Sequence, residues 1–345
     1  MRVETDVVVG EVRRRGWQKV GFGLYRREGD PDAVRADLVA WQQVLPATGC
    51  LTHLTGAVLH GLWLPPLPSR LPVFVSMSKT ETRPKRPELL VMRHTKPVAT
   101  LWRGGLHVAT VPEVLLTCAR DLSLLDLVVL GDSALHQGLA TVDDLAAASV
   151  RRRWGAAALN RALSWMDGRS ESPWESVLRV LHRACGVPVV PQHEVRHEGV
   201  FVARGDLWVV GSRMLHEYDG AVHRDAAAHR HDLRRDRALL AAGWRRRGYT
   251  AADLLRRPET VLRGPTPRWA AGTASTGSTP GSGSSGRACS TPRARPGSGP
   301  GSVAAKVAPA CSLEPAEPSG TGHNGGAPQG AATCASRLRP VARCA

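Results

Sequence analysis

Two carboxylates and an imidazole lie close together in the segment HEYDGAVHR at 216–224. Glu217 and Asp219 are two positions apart, so in a β-strand they point to the same face, about 7 Å from each other. The alternating apolar and polar residues before them predict such a strand. Gly220 permits a sharp turn that brings His223 back beside the acids. An imidazole there is suited to moving a proton during phosphodiester hydrolysis, or to binding a phosphate.

A third carboxylate joins this face through the preceding turn. Gly211-Ser212 is a suitable two-residue turn between two predicted strands. That turn pairs Val210 with Arg213 and therefore Asp206 with Glu217, with Cβ atoms about 5 Å apart. Like charges at this separation repel one another, and a divalent cation would offset the repulsion. Mg²⁺ binds a few carboxylates plus waters, so the pattern predicts Mg²⁺ as a cofactor with Asp206 and Glu217 as its ligands.

Each of these acids also has a purely structural interpretation, and both stay open at this level. Asp206 could form a surface salt bridge with Arg204 or Arg213. Glu217 and Asp219 could be a solvated strand end.

The acids belong to a helix, meander and helix pattern over residues 170–263. SESPWESVLRVLHRACG predicts a helix that Gly186 ends, with a core face formed by Trp174, Val177, Leu178 and Leu181. Three strands, a basic helix, a last strand and a short helix capped by Thr250 follow, in PQHEVRHEG, VFVARGDLWVV, RMLHEYDG, RDAAAHRHDLRRDRALLAAG, GWRRRGY and TAADLL.

Glu175 has two interpretations. If Ser172 is the N-cap and Pro173 the first helical residue, Glu175 completes a capping box with no catalytic role. Alternatively it adds a fourth carboxylate to the site.

The order of SESPWES, VARGDLWV, HEYDG..H and RRDRALLAAGW resembles actinobacterial domains of unknown function that are related to very-short-patch-repair endonucleases, in the PD-(D/E)xK superfamily. The resemblance covers about residues 170–257. It implies a mixed sheet flanked by helices and a DNA endonuclease with catalytic acids at Glu175, Asp206 and Glu217. The superfamily lysine falls at position 219, where this chain has Asp219. Very-short-patch-like members also lack that lysine and use a histidine, a role that the resemblance gives to His223.

Residues 46–169 form a separate predicted α+β unit. LTHLTGAVLHGL and GLATVDDL resemble the part that often precedes the nuclease-like domain, which is similar to type IV abortive-infection antitoxins. Members of that family carry a winged-helix DNA-binding region. Residues 1–45, with a hairpin predicted in WQKVGFGLYRRE, match only a shortened winged helix. The resemblance implies a cognate toxin as a partner.

Local signals place several elements of the 46–169 unit. THLTGAVLHGL predicts a helix, LPVFVSM and ELLVMRH predict strands, and TVPE at 110–113 and TVDD at 141–144 predict capped helix starts. His53 and His60 are seven residues apart and share one helix face. That spacing is typical of a packing face, with a metal pair as the alternative.

The formal net charge of +16 favours nucleic acid as a partner, although arginine-rich composition can also reflect a GC-rich genome. The predicted nucleic-acid-binding residues form two groups of arginines. The first group, Arg151, Arg152 and Arg153, could instead be an exposed helix start. The second group is Arg234, Arg235 and Arg237, whose positive charge is diluted by Asp232 and Asp236.

Residues 264–345 are rich in Gly, Ser, Pro, Ala and Thr, which predicts a disordered tail. It is either a basic tether or an out-of-frame reading of a GC-rich gene, and the four cysteines within it favour the second.

The seven cysteines include no CxxC pair, so neither a zinc site nor a disulfide framework is expected. Without a signal-peptide pattern or an apolar run of membrane-spanning length, we expect a cytoplasmic protein with no membrane partner.

Two functions remain open. The first is a Mg²⁺-dependent DNA endonuclease, a phosphodiester hydrolase, with His223 assisting. The second is an antitoxin-like DNA-binding regulator whose nuclease fold binds DNA without cutting it. Asp219 at the lysine position favours the regulator, whereas the retained acids favour the nuclease.

Overall fold

The computed structural model describes residues 7–12, 15–150, 153–220 and 226–262, the last range without the side chains of 226–231. Within these ranges ten helices and twelve strands form three sheets, so the chain is of the mixed α+β class that was predicted. The predicted tail and three of the predicted site residues, Arg151, Arg152 and His223, lie outside the described residues.

The first sheet confirms the predicted hairpin. Its strand order is β1-β3-β2, for β1 (Val7–Val9), β2 (Trp17–Gly21) and β3 (Leu24–Arg27). Helix α1 (Ala33–Gln42) follows and buries Trp41 completely. A side chain at Gly21 would overlap the Trp41 indole, so glycine is required for this close approach.

The second sheet is mixed, with the order β6-β5-β4-β8-β7. Its strands are β4 (Cys50–Leu51), β5 (Val73–Ser78), β6 (Leu89–His94), β7 (Thr100–Arg103) and β8 (Leu106–Ala109). The predicted helix is α2 (His53–His60), and it ends at Gly61 in the left-handed conformation. Its two histidines have separate partners: His53 Nε2 lies 3.1 Å from Asp121 Oδ2, and His60 Nε2 lies 2.8 Å from the Ala109 carbonyl oxygen. They are packing residues.

Four further helices pack against one another, and the first of them packs on α2: α3 (Val111–Cys118), α4 (Leu124–His136), α5 (Val142–Ser149) and α6 (Ala156–Leu163). The capping box of α5 is present, between Thr141 and Asp144. The one predicted for α3 is wrong, because Thr110 makes no side-chain cap bond. Glu113 is buried instead and pairs with Arg153 at 2.6 Å, so a tertiary partner has replaced the local one.

The third sheet has the order β12-β11-β10-β9 and carries the predicted meander. The elements are α7 (Pro173–Ala184), β9 (Val189–His197), β10 (Val200–Val209), β11 (Met214–Tyr218), α8 (Ala226–Ala241), β12 (Arg245–Tyr249), α9 (Ala251–Arg256) and α10 (Pro258–Leu262). Strand β12 is parallel to β11, with α8 as the crossover that this arrangement requires. The predicted hairpin register is confirmed, since Leu207 faces His216 and Trp208 faces Leu215.

Helix α7 joins the third sheet to the helices before it. Leu178 is fully buried, and the rest of the predicted apolar face packs around it. On another side of α7, Arg179 Nη2 lies 2.5 Å from Asp132 Oδ2 of α4, and both side chains are almost completely buried. No helix in the described ranges has the length and apolarity needed to cross a membrane.

Candidate functional site

Three of the predicted acids approach one another, with Glu175 at the start of α7, Asp206 on β10 and Glu217 on β11. Glu175 is the third residue of α7, and Ser172 caps the helix by accepting a hydrogen bond from the Glu175 amide at 3.2 Å. The reciprocal half of the predicted capping box is wrong. Glu175 Oε2 accepts instead from the amide of Glu171 and from Gln192 Nε2, each at 2.8 Å. The carboxylate is thus held at the helix start, close enough to Asp206 to affect its ionisation.

Asp206 is the most perturbed carboxyl of this group. Burial raises its pKa to about 7, and the negative charges of Glu175 and Glu217 contribute in the same direction. A hydrogen bond from the Tyr218 amide to Asp206 Oδ2, at 3.0 Å, opposes the shift, as does the charge of Arg235. A carboxyl with this pKa exchanges its proton near neutral pH, which suits general acid or base chemistry.

The alternative partners predicted for Asp206 are engaged elsewhere. Arg204 pairs with Glu171 at 2.8 Å, and Arg213 donates to the Ala242 carbonyl oxygen at 3.1 Å. The simple surface salt bridge is therefore not formed.

Glu217 is buried and held by two arginines. Arg235 of α8 donates to both carboxylate oxygens, at 2.5 and 3.1 Å, and Arg246 of β12 donates to Oε2 at 3.0 Å. Arg246 also pairs with Asp236 at 2.9 Å. We call the contacts of Arg235 and Arg246 with Glu217 the guanidinium clamp. It supplies the positive charge that the sequence pattern had assigned to a cation.

Asp219 lies beside Glu217 and shares Arg246 with it. Its carboxylate lies over Gly248 of β12, where any side chain would overlap it, and Arg246 Nη1 is 3.9 Å from its Oδ1. Glycine at 248 therefore provides the space that Asp219 occupies. Arg246 Nη1 therefore lies between Glu217 Oε2, at 3.0 Å, and Asp219 Oδ1, at 3.9 Å.

The predicted Mg²⁺ ligands do not fit a metal ion in this arrangement. Mg²⁺ needs free carboxylate oxygens in near-octahedral geometry, whereas both oxygens of Glu217 accept hydrogen bonds from guanidinium groups. Within the described part of the chain, no group of three or more His, Cys, Asp or Glu side chains could hold a metal ion.

The predicted nucleic-acid-binding arginines have different surroundings. Arg234 and Arg237 are exposed on α8, whereas Arg235 is turned inward to the clamp. Arg153 is half-buried, pairs with Glu113 and donates to His94 Nδ1 at 3.3 Å. Of these four side chains, Arg234 and Arg237 are the exposed ones.

A buried hydrogen-bonded chain of side chains was not predicted. His182 Nδ1 donates to the Leu178 carbonyl at 2.8 Å, and His182 Nε2 lies 2.9 Å from His216 Nδ1. His216 Nε2 then lies 3.4 Å from Tyr249 Oη. Burial, followed by the charge of the neighbouring histidine, lowers the pKa of His216 to about 3, and burial also lowers that of His182. Strand alternation could have indicated this chain, since it places His216 on the face opposite Glu217.

Comparison with models of known families, with curated proteins and with solved structures gave no match for this chain. The resemblance to nuclease and antitoxin families therefore remains a prediction from sequence.

Proposed function

We propose that this protein is a DNA-binding regulator whose C-terminal α+β unit binds duplex DNA without cutting it. The observation that carries the proposal is the guanidinium clamp. Both oxygens of Glu217 are occupied by Arg235 and Arg246, and Asp219 stands where the nuclease superfamily has lysine. With Glu217 held by arginines and no lysine at position 219, the unit lacks two of the groups that standard catalysis in the superfamily uses.

The charge of the chain supports DNA as the ligand. Besides the net charge of +16, four exposed arginines lie on α8 and the edge strand β12, which pack against each other. These are Arg234, Arg237, Arg245 and Arg247. Guanidinium groups bind phosphate oxygens in a bidentate manner, so these side chains suit contacts with a duplex backbone. A cognate toxin as a second partner rests on the antitoxin resemblance alone.

A Mg²⁺-dependent endonuclease is the second candidate. It is favoured by the approach of Glu175 and Glu217 to Asp206, whose pKa of about 7 is typical of a site built to transfer protons. It requires Glu217 to leave the guanidinium clamp when DNA binds.

Duplex binding and plasmid nicking, measured on the full chain, separate the two candidates. Four phosphate contacts predict an affinity that falls about a hundredfold between about 50 and 200 mM salt. We expect the variant Arg245→Gln/Arg247→Gln to bind less tightly with a shallower salt slope, whereas Arg70→Gln, an exposed arginine elsewhere, keeps both.

The regulator proposal also requires that supercoiled plasmid stays intact with Mg²⁺ or Mn²⁺. Nicking that disappears in Asp206→Asn would establish the endonuclease instead. No duplex binding at low salt would remove nucleic acid from both candidates.

A further inference from the structure

A tryptophan is displayed to solvent between α5 and α6. The side chain of Trp154 is 81% exposed, and Val150 beside it is 78% exposed. The loop that carries Trp154 is anchored on both sides. Arg153 pairs with the buried Glu113, and Gly155 caps α6 in a left-handed conformation that places it against the backbone of α3. An indole exposed between two anchored residues indicates a contact surface.

The surroundings of Trp154 form an open cavity of about 530 Å³. Its lining is mostly apolar, with a few polar groups, and consists of Ser149, Val150, Arg153, Trp154, Ala156, Ala157 and Asn160. The volume lies in the range of small-molecule and cofactor sites. Asn160 brings an amide that can donate and accept at once, which matches the edge of a nucleobase.

The charge around the cavity is positive. The guanidinium carbon of Arg120 lies 5.3 Å from the centre of the Trp154 ring, so a cation covers the indole. Arg153 lines the cavity and adds a second guanidinium group. Glu113, the acid that Arg153 contacts, is buried and neutralised by that pair.

From this juxtaposition of an exposed indole, an amide and arginines, we propose that the Trp154 cavity binds single-stranded nucleic acid. An unpaired base stacks on the indole, the Asn160 amide contacts the base edge, and the arginines contact the phosphates. Stacking on a side chain requires a base that is outside a duplex, which distinguishes this ligand from double-stranded DNA. An acidic peptide could pair its carboxylates with the arginines, but it has no flat ring to stack on the Trp154 indole.

The inference adds a second site, in the part of the chain before residue 170, to the duplex binding proposed for the C-terminal unit. It is tested by fluorescence anisotropy with a labelled oligothymidylate and with a labelled duplex, at low salt, on the full chain. The variants are Trp154→Ala, Trp154→Phe and Asn160→Ala. Trp102→Ala is the matched control, because that indole is 69% exposed on β7.

We expect Trp154→Ala to weaken oligothymidylate binding about tenfold, equivalent to ~1.4 kcal/mol, since stacking contributes about that much per base. Trp154→Phe keeps a stacking ring and loses about threefold or less. Asn160→Ala weakens binding severalfold, Trp102→Ala has no effect, and duplex affinity stays the same in all four variants.

Three results would overturn the inference. The first is Trp154→Ala binding the oligothymidylate as tightly as the wild type while duplex binding persists, and in that case the proposed function survives. The second is polyglutamate displacing the oligothymidylate from the wild type and losing its own affinity in Trp154→Ala, which would assign the cavity to an acidic peptide. The third is no binding of either nucleic acid, which would end the proposed function as well.

Discussion

Neutralising Glu217 is expected to destabilise the third sheet, because it removes the centre of the guanidinium clamp. The residue is only 4% exposed and accepts three charge-assisted hydrogen bonds. Removing one partner of a buried ion pair costs about 3–5 kcal/mol. The cost is smaller for Glu217→Gln, because Arg246 keeps Asp236 at 2.9 Å and the new amide still accepts one hydrogen bond. We therefore expect a loss of about 2–3 kcal/mol, measured as a shift of about 1 M in the urea midpoint.

The matched control for this change is Glu194→Gln on strand β9 of the same sheet. Glu194 pairs with Arg196 at 2.9 Å, but their side chains are 52% and 57% exposed, so its loss costs less than about 0.5 kcal/mol. A bound ion would stabilise the folded state by mass action and raise the urea midpoint. Because Glu217 is held by arginines, we expect Mg²⁺ to leave the wild-type midpoint unchanged. Equal midpoints for the two variants, or a Mg²⁺-dependent gain that Glu217→Gln abolishes, would refute the clamp as the resting state.

Two further predictions concern buried charges in the first half of the chain. Asp132→Asn leaves the Arg179 guanidinium buried without its carboxylate. We expect this variant to lower the free energy of unfolding, measured in urea, by about 3–5 kcal/mol. A loss below about 1 kcal/mol would show that the ion pair is not formed in solution. Burial, followed by the charge of Arg153, lowers the pKa of His94 to about 4. As the pH falls, the unfolded chain therefore binds this proton before the folded chain does. The contribution of His94 to the free energy of unfolding is complete above pH 6.5 and falls by about 2 kcal/mol between pH 7 and 5. His94→Gln should remove that part of the pH dependence, and an unchanged slope would contradict it.

The elements predicted from local signals are those that the structure reproduces. The Gly211-Ser212 turn sets the register of β10 and β11, and the caps at Thr141 and Thr250 start their helices as expected. Turn residues, caps and periodicity act over a few positions, so they can be read without knowing what packs nearby.

The partners of the acids could not be predicted in this way, because they come from distant parts of the chain. Arg246 reaches Glu217 only because α8 crosses over and places β12 parallel to β11. Glu113 has the sequence position of a helix-capping acid, yet it is buried against Arg153, 40 residues further along. The sequence predicted that Asp206 and Glu217 are neighbours, and their countercharge was assigned to a metal ion because nothing local indicated the arginines.

Helix α7 shows why the carboxylate cluster is part of the fold as well as a candidate site. Three of its polar side chains each face a different partner: Glu175 approaches Asp206, Arg179 pairs with Asp132 of α4, and His182 bonds His216 of β11. Buried polar contacts add little net stability compared with apolar ones, but each is satisfied only in one orientation of the helix. Together they fix the rotation of α7 against the helices before it and the sheet after it. A ligand that displaced Glu175 would therefore act on the same helix that joins the third sheet to the helices before it.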